Sequence, residues 1–555
     1  MRSFKNLTFT RAFGTKPFGA EAFLGRAFGL SLQESIFLGI SLLIWTSYVV
    51  WLGKDTSWDF RNYHWYIPYQ LLNDRLSIDI AVAHQGSYYN PLSDVPFYWL
   101  AVHTTSWFAI AVLGLFQAAN IVPMYFIARS ALNFPNVEAT ADKQLAAGAM
   151  AFFGMTGGMT LTLYGTHYYD NVFSLFTLTG LAILITRREE LSGGKLWAVA
   201  GWCALAGFLT GCTAGLKLPM APFAMGFAAA LLVVGGSLKH VVTRVVAGGI
   251  GGVAGFISCA GFWMWKMQVL TGNPLFPYFN DVFKSPMALA SPYRDMRFLQ
   301  WNWRDTLTYP LRFSIDYRIA DDIPYGDIRI GIVYIVLILT LVIWALRKRA
   351  KDSLFEPKAV RIAFVFVAAT YVFWLKMFAI HRYILQFEML APILIAMAVG
   401  MWPLPKKVRL VTIGVLFFAA FLFTRSEHLE GAPLGDPYIQ ADLPKLDNPA
   451  ATMVVMTGDA PLGFIAPSLP PEVPVLRIDG WMMQPEDGSY LTKEMRRRVA
   501  AHKGPLFLIA DAYDMGRASA AVVDYGLAID WQKCRIFTTN LTGAYQWCPL
   551  QRRNW

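Results

Sequence analysis

Several stretches of this sequence combine residue types that can do chemistry, and each sits where an apolar run ends. After the apolar run Ile36 to Leu52 comes Lys54-Asp-Thr-Ser-Trp-Asp59-Phe-Arg-Asn-Tyr-His64-Trp-Tyr, a mixture of carboxylates, histidine, arginine and aromatics. Such a cluster at a membrane surface can hold a polar head group above a lipid tail. Similar mixtures follow at Thr166-His-Tyr-Tyr-Asp170-Asn171, Lys217, Asn273-Pro274, Lys376 and His381-Arg382-Tyr383. If a helical bundle gathers these ends, carboxylates face cations around one cleft. Asp59 can then take a proton from a hydroxyl. Arg382 can grip a phosphate with its planar fork, with His381 beside it, and Lys217 can act as a point charge. Cations so placed stabilise charge developing on a departing phosphate. His64, Asn62, His167, Asp170 and Asn273 are the candidates to position a sugar, and His64, His167 and Asp170 can alternatively bind a divalent cation.

Each of these residues also has a purely structural role open to it. Asp59 and Asp170 stand where a helix N-cap would stand. Arg382 and Lys217 can snorkel to the surface, although short outer loops disfavour Arg and Lys. Glu388 lies about a turn and a half into an apolar run, where an ionisable group is a functional candidate by default. Pairing with Lys376 would account for it.

The elements that must position these residues are membrane spans. A span needs about 20 mostly apolar residues, and the sequence offers about eleven candidates, at 34–53, 104–131, 143–164, 171–187, 196–214, 218–236, 244–269, 329–347, 359–379, 383–402 and 408–424. Lys and Arg recur in every second connection, at Arg129 and Lys143, Arg187-Arg188 with Lys195, Lys239 with Arg244, Arg347-Lys-Arg349 to Arg361, and Lys406-Lys407-Arg409. The positive-inside rule makes those connections cytoplasmic and the C-terminus external. Residues 1–33 form a basic N-terminal segment with Arg2, Lys5, Arg11, Lys16 and Arg26, read as leading into a retained signal-anchor. The membrane domain covers 34–424, with outer loops at 54–95 and 270–328. In the first loop Phe60, Tyr63, Ile67 and Leu71 share one helical face that can lie flat in the interface, and Pro68 should kink or split that helix. Residues 425–555 read as a separate soluble domain of small α/β type, with strand-like runs at Thr452–Met456, Pro474–Ile478 and Leu506–Ala510 and helix-like Leu491–His502. Cys534 and Cys548 fall there, and a disulfide between them is allowed if the domain is external. Cys203, Cys212 and Cys259 fall in apolar runs and read as packing residues.

Composition sets the class. The chain has 555 residues, 55% hydrophobic and 15% charged, with a mean hydropathy of +0.40; soluble domains carry about 25% charged residues. This is a polytopic α-helical membrane protein. The net charge of +11 does not signal nucleic acid, because the basic residues sit in short loops on one side and no soluble reader fold is visible.

In order and common sidedness these motifs resemble the GT-C superfamily of polyprenyl-phosphate-dependent glycosyltransferases. They look closest to bacterial membrane proteins of the dolichyl-phosphate-mannose–protein mannosyltransferase and aminoarabinose-transferase type. The matching segments are Trp58-Asp-Phe-Arg-Asn-Tyr-His64, His167-Tyr-Tyr-Asp-Asn171, Gly215-Leu-Lys-Leu-Pro, Asn273-Pro-Leu-Phe-Pro277 and His-Arg382-Tyr383, within about residues 30–400. The resemblance implies that the first-loop carboxylate Asp59 is the catalytic base, with Asp55 in reserve. It implies an undecaprenyl-phosphate-type sugar donor entering from the bilayer and inversion at the anomeric carbon. The acceptor would be an envelope glycan, a lipid or a protein, and the site would be the bacterial inner (plasma) membrane, with the C-terminal domain periplasmic. Superfamily members differ in needing a divalent metal, and the first loop has no Asp-x-Asp, so no metal is assigned. A transporter or flippase of lipid-linked sugars is the rival from another class; it predicts helices broken at mid-membrane and repeat symmetry, and no internal repeat is evident. A polymerase or ligase of surface polysaccharide would differ mainly in the acceptor.

Overall fold

The computed structural model describes residues 29–133, 140–346, 350, 352–427 and 431–553. The basic residues from Arg2 to Arg26 and the Arg347-Lys-Arg349 run lie outside them. In chain order the main helices of the membrane region are α1 (Leu32–Leu52), α2 (Ser106–Ala131), α3 (Thr140–Gly154), α4 (Asp170–Thr186), α5 (Leu196–Leu216), α6 (Leu218–Val233), α7 (Leu238–Thr271), α8 (Arg329–Ala345), α9 (Pro357–Met377), α10 (His381–Gly400) and α11 (Lys406–Leu422). α1 starts on a capping box: Glu34 N–H donates to Ser31 Oγ at 3.3 Å and Ser31 N–H donates to the Glu34 carboxylate at 2.7 Å. It ends at Gly53, whose φ of 87° and close approach to the Ala432 carbonyl leave no room for a side chain.

The chain is a polytopic α-helical membrane protein with a mixed α/β C-terminal region. The expectation of about eleven spans is overturned. Among the described residues, 6 helices are long and apolar enough to cross a membrane: α1, α2, α5, α7, α9 and α10. The other apolar runs make shorter helices. Residues 143–164 break after Gly154, before a five-residue helix at Gly158–Thr162. α4, α8 and α11 have 17 residues each, short of the roughly 20 that a span requires. Hydropathy windows run through such breaks. They also score a residue equally whether it meets lipid or another helix. In α10, 94% of the apolar window is buried inside the protein, against 22% for α1 and α7; α10 is the central helix and the other two are peripheral.

The C-terminal region is built on a six-stranded sheet. Its strands are β1 (Met453–Met456), β2 (Val475–Arg477), β3 (Leu506–Asp511), β4 (Leu527–Ile529), β5 (Arg535–Thr538) and β6 (Ala544–Arg552). The order is β2-β1-β3-β6-β4, with β5 also paired to β6. β1 lies parallel to β2 and β3, while β6 is antiparallel to β3, β4 and β5. Helix α12 (Tyr490–Ala501) makes the crossover from β2 to β3, and α13 (Met515–Asp524) leads from β3 to β4. Cys534 and Cys548 are joined in a disulfide.

This sheet does not end at β2. Ile80, in the segment between α1 and α2, continues it, with Ile80 N–H donating to Val475 O at 3.1 Å and Arg477 N–H donating to Ile80 O at 3.0 Å. Beside this join Val475 N–H donates to Asp79 Oδ1 at 2.9 Å, and Arg75 bonds both Asp79 and the Val473 carbonyl. The fully buried Arg477 guanidinium donates to the carbonyls of Val82, Gly458 and Ala460. Phe60, Tyr66 and Ile67 are therefore buried within protein, where the sequence had allowed an interfacial helix; the C-terminal region supplies the apolar cover that lipid would have supplied.

Candidate active site

A cavity of about 990 Å³ lies where the bundle meets the C-terminal region. The segment between α1 and α2 contributes Asp59, Asn62, Tyr63 and His64. Lys217 stands at the C-terminal end of α5, and Phe256, Ala260 and Met264 of α7 form an apolar wall. Arg382 and Tyr383 come from the start of α10, while Asp459 and Trp481 come from the C-terminal region. The polar groups and the apolar wall belong to one space.

Asp59 opens a π-helical turn, Phe60–His64, closed by Trp65 N–H to Phe60 O at 3.3 Å. Such turns are rare and often mark functional sites. Asp59 does not cap it. Ser57 does, accepting from Phe60 N–H at 3.2 Å. The Asp59 carboxylate accepts from Tyr63 Oη at 2.9 Å. Burial and then the Asp59 charge push the Tyr63 phenol well above its ordinary pKa, so it remains a donor. The same turn sends Asn62 to the Ala83 carbonyl (3.2 Å) and His64 to Asp94, with Nδ1 to Oδ1 at 2.7 Å. A short α-helix, Tyr66–Leu72, follows with Pro68 in its first turn, so the proline helps to split the segment as expected.

The cations come from helix ends. α5 stops at Lys217, where Leu218-Pro219 cannot continue it. Lys217 Nζ reaches Asp170 Oδ1 at 2.7 Å and the Tyr168 carbonyl at 3.0 Å. Burial holds this amine below its ordinary pKa, opposed by the Asp170 charge and reinforced by Arg382. Asp170 is thus the counter-ion of Lys217 and makes no side-chain cap. Arg382 is held differently. Its guanidinium carbon lies 5.0 Å from the centre of the Tyr168 ring and 5.3 Å from that of Tyr383, and its backbone N–H is bound by Asp321 at 3.0 Å. Among the described residues it forms no salt bridge, and its Nε is buried without a partner. The charges of Asp321 and Asp59 act on it from a distance, but a cation stacked on aromatics with no carboxylate in contact among the described residues is a ready receptor for an anion.

Asp170 and three other predicted residues, His167, His381 and Asn273, do not line the cavity and sit behind its walls. His167 is fully buried, with its backbone N–H and Nδ1 at 2.7 and 3.0 Å from Asp55 Oδ2. Burial pulls His167 below the ordinary imidazole value, with Asp55 opposing. Burial would raise Asp55, but its hydrogen bonds from His167 and Ser57 hold it below the usual carboxylate value. This pair is a structural clamp, which removes Asp55 as a reserve base. His381 is also fully buried, with Nε2 2.9 Å from Glu388 Oε1. Glu388 further accepts from the N–H groups of Met159 and Thr160 and from Thr160 Oγ1. It therefore holds the break after α3, and its partner is His381 where sequence had suggested Lys376. Asn273 shapes the turn behind Pro274 and Leu275, donating to Tyr278 O at 3.0 Å and accepting from Leu275 N–H at 2.9 Å.

His64, His167 and Asp170, the candidate cation ligands, each belong to a different pair. Among the described residues no group of three or more His, Cys, Asp and Glu side chains could hold a metal ion. Sequence reasoning gave no site role to Tyr63, Tyr168 and Tyr383, although they lie inside the segments it singled out, and it missed Asp94, Asp459 and Trp481. Of these last three only Asp94 carried a local signal, as a carboxylate closing the polar run Asn90-Pro-Leu-Ser-Asp94. The tyrosines are indistinguishable in sequence from interface aromatics. No family model matches the chain, and neither a curated protein nor a solved structure matches it.

Proposed function

We propose that the protein is an integral-membrane glycosyltransferase, moving a sugar from a polyprenyl-phosphate donor to an acceptor hydroxyl with inversion at the anomeric carbon. One observation carries the reading: Asp59, whose carboxylate accepts from the Tyr63 phenol, and Arg382, in no salt bridge among the described residues, line the same cavity, which also has an apolar wall. Asp59 takes the acceptor's hydroxyl proton as the oxygen attacks the anomeric carbon. The bond from that carbon to the phosphate oxygen breaks, and the lipid phosphate leaves with its electron pair against Arg382 and Lys217. The apolar wall of α7 suits the prenyl chain. The Cys534–Cys548 disulfide favours a C-terminal region outside the cytoplasm, and with it a site on the outer face of a bacterial plasma membrane.

The test uses the full chain in lipid nanodiscs with radiolabelled undecaprenyl-phosphate sugars. Asp59→Asn should retain donor binding and lose transfer by about 10²- to 10⁴-fold; full activity would remove Asp59 from the mechanism. Arg382→Ala should weaken donor binding at least about tenfold, and unchanged affinity would leave the cavity without its phosphate anchor. Transport of lipid-linked sugars is a second reading, favoured by the break between α5 and α6 at Lys217. It predicts donor movement across the bilayer with no glycosyl product.

A further inference from the structure

We propose that the mouth of the cavity, where the C-terminal region meets the segment between α1 and α2, is a carbohydrate subsite, so that the acceptor is a glycan. Its carbohydrate chemistry stands on its own observations. Its role as the acceptor site rests on the glycosyltransferase reading.

Two indoles from opposite ends of the chain line this mouth. Trp58 and Trp481 have ring centres 6.4 Å apart, tilted by 42°. The buried His84 ring packs against both, at 6.3 Å from Trp58 and 5.1 Å from Trp481. Gly480 permits that approach, since a Cβ there would collide with the imidazole. The support is rigid, yet Trp481 keeps 41% of its surface exposed. Beside it Asp459 also lines the cavity. Its Oδ2 is held by Arg517 Nη1 at 2.6 Å, while Arg517 Nε holds Asp479 at 2.6 Å, and the Asp459 side chain stays 53% exposed. A second aromatic surface lies in the same cavity, where Tyr89 and Tyr278 stack at 5.4 Å and 6°.

A pyranose has apolar C–H faces and a rim of hydroxyls. The faces stack on indole and phenol rings, and the hydroxyls donate to carboxylates. Fixed aromatic faces next to an anchored, half-exposed carboxylate match both halves of that description. A lipid acceptor fits less well, since the C-terminal region offers the half-exposed Asp459 beside Trp481, and the apolar wall of the cavity comes from α7. An extended peptide would favour an edge of the sheet; the edge strand leading to Trp481, β2, already pairs with Ile80, and the other edge, β4, lies at the far side of the sheet. Trp58 and Asp59 both line this cavity, so a sugar seated here shares its space with the candidate base.

The experiment measures binding of the full chain in nanodiscs to delipidated, deproteinised envelope polysaccharide from the source organism, with the matching lipid and protein fractions as separate probes. The wild type should bind the polysaccharide. Trp481→Ala should weaken it about tenfold or more, and Trp481→Phe, which keeps an aromatic face, should stay within about threefold. Asp459→Asn alters an exposed side chain and should also weaken it. Melting temperatures of the variants separate lost binding from lost folding. Absence of polysaccharide binding overturns the proposal, as does equal binding by Trp481→Ala or binding only to the lipid or protein fraction. A parallel measurement with radiolabelled undecaprenyl-phosphate sugar keeps the two readings apart. Polysaccharide binding lost in Trp481→Ala, with no donor bound by the wild type, sinks the glycosyltransferase and leaves the carbohydrate subsite. Transfer by Trp481→Ala with an unchanged acceptor KM does the reverse.

Discussion

Removing the Lys217 amine would leave the Asp170 carboxylate buried with its Oδ2 already lacking a partner. Breaking a buried ion pair costs about 3–5 kcal/mol. The Lys217 side chain retains 20% exposure, so the lower end, about 3 kcal/mol, is expected for Lys217→Ala. Asp170→Asn in that background should recover part of the loss, because an amide is far cheaper to bury than a charge. Thermal melting in detergent reads both effects. The double variant Lys217→Met/Asp170→Asn separates structure from function: it should fold and bind the lipid-phosphate donor more weakly. Donor affinity equal to the wild type would reduce Lys217 to a purely structural role.

At the scale of elements, the wall that carries Lys217 depends on how closely α5 and α7 approach. Small residues set that distance. A Cβ on Gly211 would collide with the Gly252 carbonyl, and one on Gly207, Gly251 or Gly255 would meet backbone in the same way. Such contacts let membrane helices pack backbone to backbone. α7 has 34 residues. At 1.5 Å per residue it runs about 51 Å, well beyond the roughly 30 Å of hydrocarbon, and the part carrying Ala260 and Met264 lines the cavity. Gly211→Ala should force the two helices apart, lower the melting temperature and weaken donor binding together. Gly249→Ala is the matched control, since nothing lies within 4 Å of a Cβ there. Equal effects of the two substitutions would show that close packing does not support the site.

Across the whole molecule, the membrane bundle and the C-terminal region are joined at buried groups that titrate. Burial, and then Arg477 and Arg517, hold His84 well below the ordinary imidazole value. His167 shifts the same way for want of solvent. A histidine whose folded pKa is depressed binds protons more readily when unfolded. The stability this gives is complete above the unfolded value of about 6.5 and is lost as pH falls below it. Each such histidine contributes a slope of up to about 1.4 kcal/mol per pH unit in that window. Melting temperature should therefore drop between pH 7 and pH 5. His84→Phe should flatten the drop by removing one titrating group from the junction. An unchanged slope in that variant would mean that His84 does not sense pH in the fold.

The sequence by itself determined the class of the molecule, the polar character of the helix ends and three of the six strands of the C-terminal sheet. These rest on local quantities: mean hydropathy, charge spacing and alternation within a few residues. It also marked Asp59, Asn62, His64, Lys217 and Arg382, which do line one cavity, because polar groups at the ends of apolar runs have few places to go. Only the tertiary structure decided which carboxylate faces that space. Asp55 and Asp59 are four residues apart, yet His167, more than a hundred residues away, claims the first and leaves the second. The arrival of Trp481 and Asp459 beside Trp58 and Asp59 has the same origin. It joins segments some four hundred residues apart, chosen by how the helices and the sheet pack, and no window along the chain contains both partners. The number of spans went astray for a related reason: an apolar residue looks the same in sequence whether lipid or another helix will cover it.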